Sequence, residues 1–483
     1  MIRQSPLVDL LVLVPAAGAM LAALLGRARA DGARWLALLF ALANVGLFVG
    51  LAASGVFTGT RVVGYALGTY GFWRLVTDGL STPLVGLTVL LGVAAVSASW
   101  RVEKRPYTHF ALLLMLETSV LGVFLADNVI LFYVFWELVL IPMYFLIGGW
   151  GHERRRHAAM KFFLYTFVGS ALMLVGLLVA IYSARVWSMS ELATSAAVRP
   201  QSALVFWLLM AGFLVKVPAW PLHTWLPDAH VEAPTAGSIM LAGVLLKMGG
   251  YGILRLAMPL ALPTFDQARF LIVALGLIGI VYGALVCLVQ TDLKRLVAYS
   301  SVSHMGFVLL GIGVATADAL GASMLAMVSH GFVAGMLFWL VGALYDRAHT
   351  RELSDFGGLG RVVPVWSVAF VFGALASLGL PGLSGFPGEF VSVLEGFRAY
   401  GWWMLVAGVG LVFAAAYNLR AVSGTVQGAV GSFDRLTDLA PREVATAVGF
   451  AVAILFVGVW PAAVLQIAQP ALGAIAAVLG GGA

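Results

Sequence analysis

Three ionisable side chains interrupt apolar stretches that are long enough to cross a lipid bilayer. Glu137 lies in the apolar run 129–150, Lys247 lies in the run 236–256, and Lys216 lies near the end of a third such run. A charged side chain at the centre of a bilayer costs at least about 2.5–3.5 kcal/mol, and residues of this kind usually mark a path for ions or protons. The sequence therefore predicts a buried proton or ion path.

Glu137 and Lys216 form the first candidate pair. Burial favours the neutral form of a lysine, whereas a nearby carboxylate restores the charged form. We therefore expect a switch, in which Lys216 holds a proton when Glu137 is close and releases it when Glu137 withdraws. The alternative is a static ion pair that sets how two helices pack. The prolines that follow Lys216 favour the switch, because an interrupted helix permits movement.

Lys247 lies on the next apolar span and has no carboxylate nearby in the sequence. A buried lysine without a partner can be neutral near pH 7, which suits a proton acceptor. The alternative is a lysine that extends its amine to the membrane surface. The central position of Lys247 in its span argues against that alternative.

Four histidines are candidate proton relays, because imidazole exchanges protons near neutral pH. A single histidine on an apolar face is more often a satisfied core residue, but four of them beside buried lysines and glutamates favour a relay. Two of the four flank the Pro-rich segment and could mimic metal ligands, although this signal is weak without cysteine partners. The relay candidates are His223, His230, His304 and His330, and the histidines expected to be solvated in loops are His109, His152, His157 and His349.

A second interrupted span carries Glu389, within the stretch Gly-Phe-Pro-Gly-Glu-Phe at 385–390. We interpret Glu389 as a carboxylate through which protons enter or leave. The alternative is an ordinary helix-start glutamate, since carboxylates are favoured at helix N-termini. Glu117 also falls inside a membrane span, and the sequence does not indicate its role.

The elements that must position these residues are membrane helices. The 483 residues are 61% hydrophobic and 10% charged, whereas a soluble domain has about 25% charged residues. Apolar runs of about 20 residues recur along the chain. The pattern predicts an all-α polytopic membrane protein, a single membrane domain over 1–483, with about 14 transmembrane helices, the last at 443–468. The connections are short and leave no soluble domain.

The seventh and twelfth predicted spans are interrupted. Pro218 and Pro221 remove backbone donors in the seventh, and glycines and prolines fill 379–388 in the twelfth. Irregular backbone at membrane depth is tolerated only where protein or water covers it. Paired interrupted helices indicate two repeats around a central ion site. We expect inverted five-helix repeats at 108–257 (helices 4–8) and 270–423 (helices 9–13).

The net charge of +6 reflects the connections rather than nucleic-acid binding. Alternate connections collect most of the basic residues, as cytoplasmic loops do, which predicts an even helix count and both termini on the outer side. The single cysteine, Cys287, excludes an internal disulfide, a CxxCH haem site and a cysteine-ligated iron–sulfur cluster. The basic residues of these connections are Arg27, Arg29, Arg34, Arg101, Lys104, Arg105, Arg154, Arg155, Arg156, Lys161, Lys294, Arg295, Arg347, Arg351, Arg361, Arg420, Arg435 and Arg442.

Several long motifs resemble a known family. The stretch Phe-Trp-Glu-Leu-Val-Leu-Ile-Pro-Met-Tyr at 135–144 and the stretch Lys-Val-Pro-Ala-Trp-Pro-Leu-His-Thr-Trp-Leu-Pro-Asp-Ala-His at 216–230 are similar to signatures of the antiporter-like membrane chains of proton-pumping NADH:quinone oxidoreductase, respiratory complex I. The segments at 246–252, 292–306 and 388–390 extend the similarity over nearly the whole chain. Within this family these stretches resemble the signature of chain M.

The resemblance implies 14 helices, two inverted repeats and broken helices seven and twelve. It also implies that the chain carries no redox centre and translocates protons, driven by quinone reduction elsewhere. NADH, flavin, iron–sulfur clusters and quinone would then be bound by partner subunits in a bacterial inner membrane, with the antiporter-like chains L and N as neighbours. The family's key positions fall on Glu137, Lys216, Lys247 and Glu389, with His223, His230, His304 and His330 as relay candidates.

Other functions fit the sequence less well. Chain L has a lysine in the twelfth helix, where this chain has Glu389, and chain N is less similar around Glu137. The main alternative is a subunit of a multi-subunit cation/proton antiporter, which shares the Lys-Val-Pro and Leu-Pro-Asp-Ala-His motifs. The stretch 135–144 argues against it. An inert membrane scaffold is disfavoured, because four ionisable groups at membrane depth are costly.

Overall fold

Long helices dominate the computed structural model, which describes residues 2–25, 30–53, 55, 61–68, 71–431 and 433–480. Two of the basic residues, Arg27 and Arg29, lie outside these ranges. The long helices are α1 (Leu7–Leu25), α2 (Ala30–Ala52), α3 (Thr82–Ala98), α4 (Pro106–Leu125), α5 (Val129–Trp150), α6 (Arg155–Ala184), α7a (Ser202–Lys216), α7b (Trp225–Glu232), α8 (Thr235–Leu260), α9 (Leu262–Val289), α10 (Leu293–Val314), α11 (Ala317–Ala348), α12a (Pro364–Leu378), α12b (Gly385–Tyr400), α13 (Leu405–Thr425), α14 (Pro441–Val459) and α15 (Ala462–Gly480).

Most of these helices can cross a membrane. In the described part of the chain, 13 helical segments are long and apolar enough to do so, and the shorter α3 and α12a are also apolar. The all-α multi-pass architecture expected from the sequence is therefore confirmed. The predicted interruptions are present as well, since α7a and α7b are separate helices, as are α12a and α12b.

The two ends of the helices differ in character. A small sheet forms at one end from β1 (Ile2–Gln4), β2 (Arg61–Val63) and β3 (Val76–Thr77), in which β1 pairs parallel with β2 and β2 pairs antiparallel with β3. We call this end the strand face. Because successive helices alternate in direction, the connections α3–α4, α5–α6, α9–α10 and α13–α14 lie at the opposite end, which we call the basic face.

The last predicted span, 443–468, is wrong at its C-terminal end. α14 ends at Val459, because Pro461 lacks a backbone donor and disfavours helical geometry in the residue before it. In α15, Gln469 Nε2 donates a hydrogen bond to the carbonyl oxygen of Ala317, 3.3 Å away, at the start of α11. α15 therefore packs against the strand-face end of α11 instead of extending α14.

Helix α8 departs from regular α-helical geometry at two places that the sequence did not predict. Leu241–Leu245 and Ile253–Ala257 are π-helical, and π turns inside α-helices are frequent at functional sites. Glycine lets this helix approach its neighbours closely. A Cβ atom added to Gly249 would lie 2.6 Å from the Val217 side chain. As a result α8 is almost wholly buried.

Helices α4–α8 and α9–α13 are two runs of five in which the fourth member is broken. The first run begins on the basic face and the second on the strand face, so the two runs cross the membrane in opposite directions. This order is the one that inverted repeats produce. The repeat boundaries 108–257 and 270–423 stay a prediction.

Candidate functional site

Lys216 is the last residue of α7a. The helix ends there because Pro218 and Pro221 follow, and α7b begins only at Trp225. A cation at a helix C-terminus interacts favourably with the helix dipole. The break therefore places a lysine, 1% exposed, at the end of a half-helix inside the membrane domain.

The amine of Lys216 is surrounded by aromatic rings. Nζ lies 5.6 Å from the centroid of Trp136 and 5.5 Å from that of Phe162, positions in which ring faces attract a cation. Glu137 acts on Lys216 electrostatically. Among the described residues, however, neither Lys216 Nζ nor Glu137 Oε1 has a hydrogen-bond partner. The two groups thus interact through charge without forming a hydrogen-bonded ion pair.

Lys247 is fully buried, and its partners come from two different elements. Nζ donates to the carbonyl oxygen of Ala242 at 2.5 Å, inside the π-helical turn of α8. Nζ also shares a hydrogen bond of 2.6 Å with Nδ1 of His330, which projects from α11. The packing of α11 on α8 therefore supplies the partner that the local sequence lacks.

The row of titratable groups continues beyond His330. The rings of His330 and His304 have centroids 5.6 Å apart, and His304 Nδ1 lies 2.7 Å from Glu389 Oε1. His304 Nε2 bonds to Ser377 Oγ at 3.1 Å. Lys247, His330, His304 and Glu389, which we call the axial row, therefore connect α8, α11, α10 and α12b at membrane depth.

A small polar cavity adjoins the axial row. Its volume is about 10 Å³, roughly the space that one water molecule needs. It is bordered by His304, His330 and Glu389, and by the hydroxyls of Ser329 and Ser300. The sequence does not single out these serines, because isolated serines in apolar helices carry no distinctive spacing. A bound water there would have several polar partners.

The break in the twelfth span shapes the position of Glu389. Gly379, which ends α12a, has φ +79°, a conformation that side chains disfavour. A Cβ atom at Gly379 would lie 3.2 Å from Glu389 Oε2. Glu389 is the fifth residue of α12b and its carboxylate bonds to His304. The break therefore makes room for the contact between Glu389 and His304. A glutamate that only stabilises a helix start would not need this room.

His230 lies close to the axial row, whereas His223 does not contact it. His230 is fully buried and stacks on Phe338, with ring centroids 4.4 Å apart. It interacts electrostatically with Lys247, and neither of its ring nitrogens has a hydrogen-bond partner among the described residues. His223 Nε2 instead bonds to the Tyr282 hydroxyl at 3.2 Å. Within the described ranges no group of three metal-ligating side chains occurs.

Two histidines that were expected to be solvated are not. His109 lies in the first turn of α4 and is fully buried. It bonds to Ser99 Oγ at 2.8 Å and packs edge-on against Trp150. His152, in the loop after α5, is partly buried, and burial together with the positive charges of Lys294 and Arg351 lowers its pKa to about 3. The burial of His109 results from packing against Ser99 and Trp150 of neighbouring elements.

Glu117, whose role the sequence left open, lies outside the axial row. It is 1% exposed, and its Oε1 accepts a hydrogen bond of 2.9 Å from Asn44 Nδ2 of α2. Its other oxygen lies against Gly92 of α3, where a Cβ atom would approach it to 2.6 Å. The contacts of Glu117 therefore connect α2, α3 and α4.

Comparison with known proteins places the chain in a family. Residues 126–414 match the family model described as NADH:quinone oxidoreductase/Mrp antiporter, TM. NADH-quinone oxidoreductase subunit M of Rhodobacter capsulatus is 41% identical over 83% of this chain and 81% of the relative. Subunit M of Pseudomonas aeruginosa is 42% identical over 84% of this chain and 82% of the relative.

Solved structures agree with this assignment. A chain of respiratory complex I from Thermus thermophilus superposes with a TM-score of 0.88 at 32% identity, covering 98% of this chain and 99% of that one. A chain of the Mrp complex from Dietzia has a TM-score of 0.84 at 20% identity, covering 98% and 100%, and so shares the fold. The chain belongs to the family of NADH-quinone oxidoreductase subunit M, multi-pass membrane chains with an antiporter-like fold.

Proposed function

We propose that the chain moves protons through the membrane as subunit M of an NADH-quinone oxidoreductase, along the axial row. The observation that carries this proposal is the succession of contacts from Lys247 through His330 and His304 to Glu389. Lysine, histidine and carboxylate side chains buried in membrane domains are the groups from which proton relays are built. Each of the four can take up and release a proton.

Glu137 and Lys216 act as the switch that loads this row. The charge on Glu137 favours the protonated form of Lys216, and because no hydrogen bond joins the two side chains, Glu137 can withdraw from Lys216 without breaking one. Once Glu137 withdraws, burial favours the neutral amine, and Lys216 releases its proton. His230, which interacts electrostatically with Lys247, is the next acceptor, and intervening water molecules carry the proton between them.

The basic face lies on the cytoplasmic side in this proposal, because Lys and Arg collect in cytoplasmic loops. The strand face, against which α15 packs, then lies on the outer side of the bacterial inner membrane together with both termini, and Glu389 releases protons toward it. The chain holds no redox centre of its own. NADH, flavin, iron–sulfur clusters and quinone belong to partner subunits, and the antiporter-like chains L and N are its neighbours.

Replacing Glu389 tests the axial row. We expect Glu389→Gln to lower NADH-driven proton translocation by roughly tenfold or more, because the amide cannot accept the proton that His304 delivers. The measurement is dye-reported acidification in membrane vesicles that contain the assembled complex, with assembly checked on a native gel. Glu153→Gln, which changes an exposed carboxylate on the basic face, is the matched control. Normal acidification by Glu389→Gln would overturn the axial row as the path.

Measurements on the same vesicles distinguish a respiratory subunit from a cation/proton antiporter. A respiratory subunit translocates protons only while NADH is oxidised, and the rate does not depend on added sodium. A cation/proton antiporter moves protons when a sodium gradient is imposed without NADH. Sodium-driven proton movement that requires Lys216 would favour the antiporter.

Glu117 is expected to be structural. We predict that Glu117→Gln translocates protons normally, because the glutamine carbonyl oxygen still accepts the hydrogen bond from Asn44. Glu117→Leu leaves the buried Asn44 amide unpaired, which costs about 1–3 kcal/mol. The purified complex should therefore unfold at a lower temperature than the wild type in the leucine variant only. A pumping defect in Glu117→Gln with unchanged stability would instead place Glu117 in a proton path.

A further inference from the structure

A deep apolar groove opens on the membrane-facing side of the chain. It has a volume of about 680 Å³ and lies between α2, α3 and α14, apart from the polar cavity of the axial row. Its walls are aliphatic and aromatic along most of their length. The side chains that define these walls are Leu38, Leu42, Leu90, Ala94, Phe450 and Ala453.

The basic-face end of this groove is cationic and aromatic. Arg442 lies in the first turn of α14, and its guanidinium carbon is 5.0 Å from the centroid of Trp100. Trp35 meets Trp100 edge-on, with ring centroids 5.0 Å apart. All three residues line the groove. Tryptophan side chains are enriched at the level at which lipid headgroups lie.

Among the described residues no carboxylate forms an ion pair with Arg442, although Glu443 attracts it electrostatically. The neighbouring carboxylate, Glu443, pairs with Arg347 and with Arg101, at 3.6 Å from the latter. Arg34 and Arg101 are close enough to act on Arg442 electrostatically. The Nε atom of Arg442 is buried and has no hydrogen-bond partner among the described residues. The end of the groove therefore holds Arg442 with an unused donor, next to Arg34, Arg101 and the Glu443 carboxylate.

We propose that this groove binds an anionic phospholipid, with the phosphate at Arg442 and an acyl chain between α2, α3 and α14. Guanidinium groups bind phosphate through paired, charge-assisted hydrogen bonds. Basic pockets between membrane helices on the cytoplasmic side are suited to anionic headgroups. A zwitterionic lipid is disfavoured, because its ammonium group would enter a region that already holds three arginines.

One position in the groove offers a test that leaves the charges unchanged. A Cβ atom added to Gly449 meets nothing within 4 Å, so a side chain can begin there without a clash and extend into the groove. Gly449→Leu therefore fills the acyl part of the groove, whereas Arg442→Gln removes the phosphate partner. Arg435→Gln, which changes an exposed arginine on the same face, is the matched control.

The experiment is native mass spectrometry of the purified complex, after exchange into micelles that contain either phosphatidylglycerol or phosphatidylcholine. We expect the wild type and Arg435→Gln to retain one more phosphatidylglycerol per complex than Arg442→Gln or Gly449→Leu, with little retention of phosphatidylcholine. NADH oxidation should be similar in all four, which separates this result from a failure of the proposed proton path.

Three outcomes would overturn the lipid site. Equal retention of phosphatidylglycerol by all variants would show that the groove does not bind it. Equal retention of both lipids by the wild type would show that the groove is an apolar surface without selectivity for the headgroup. A crosslink from a photoreactive residue at position 449 to another subunit, rather than to lipid, would show that a partner helix occupies the groove.

Discussion

Lys247→Arg is expected to assemble with its complex and to lose proton translocation by roughly a hundredfold, since the guanidinium cannot release its proton at physiological pH. In the wild type, Nζ bonds both to the carbonyl of Ala242 and to Nδ1 of His330. The arginine keeps the positive charge at this place and removes only the ability to deprotonate. NADH-driven acidification of membrane vesicles measures the loss, and a native gel checks assembly.

Lys104→Arg is the control for this substitution. Lys104 is an exposed lysine on the basic face, where it bonds to the carbonyl of Gly149, and arginine should replace it without effect. Lys247→Met should assemble at least as well as the wild type, because a costly buried ionisable group is removed, and should also fail to translocate protons. Wild-type pumping by Lys247→Arg would mean that Lys247 is only a fixed charge and that protons do not pass through it.

Glu137→Gln is expected to lose most proton translocation, nearly as much as Glu137→Ala or Lys216→Ala, by roughly tenfold or more. The carboxylate acts on Lys216 through its charge rather than through a hydrogen bond. Glutamine preserves the size of the Glu137 side chain and removes its charge, so the Lys216 amine loses the interaction that keeps it protonated. Glu137→Asp keeps the charge and should retain substantial activity.

Initial rates of vesicle acidification, normalised to the amount of assembled complex, compare these variants. Glu191→Gln changes an exposed carboxylate on the strand face and should behave as the wild type. If Glu137→Gln and the wild type pump equally, the residue serves packing, and the switch is wrong. If Glu137→Asp fails as completely as Glu137→Gln, the position of the carboxylate matters as much as its charge.

The sequence by itself determined the class of protein and the chemistry of its interior. Lysines and glutamates within apolar runs predict a proton path because burying a charge is costly wherever the chain folds. Pro218 and Pro221 predict the break after Lys216 because they lack backbone donors. The glycines and prolines at 379–388 predict the second break, because glycine is conformationally permissive and proline lacks a backbone donor. These properties depend only on neighbours along the chain, so local composition is sufficient.

Only the tertiary structure decided which of these residues meet. Lys247 pairs with His330 and His304 with Glu389, although each pair comes from different helices. Such contacts depend on how each helix is rotated and how closely it packs, which a nearly uniform apolar sequence does not encode in its spacing. The burial of His109 was missed for the same reason, and so was the cationic end of the groove at Arg442. The local sequence shows which ionisable side chains are buried, whereas helix packing decides which of them meet to form a path.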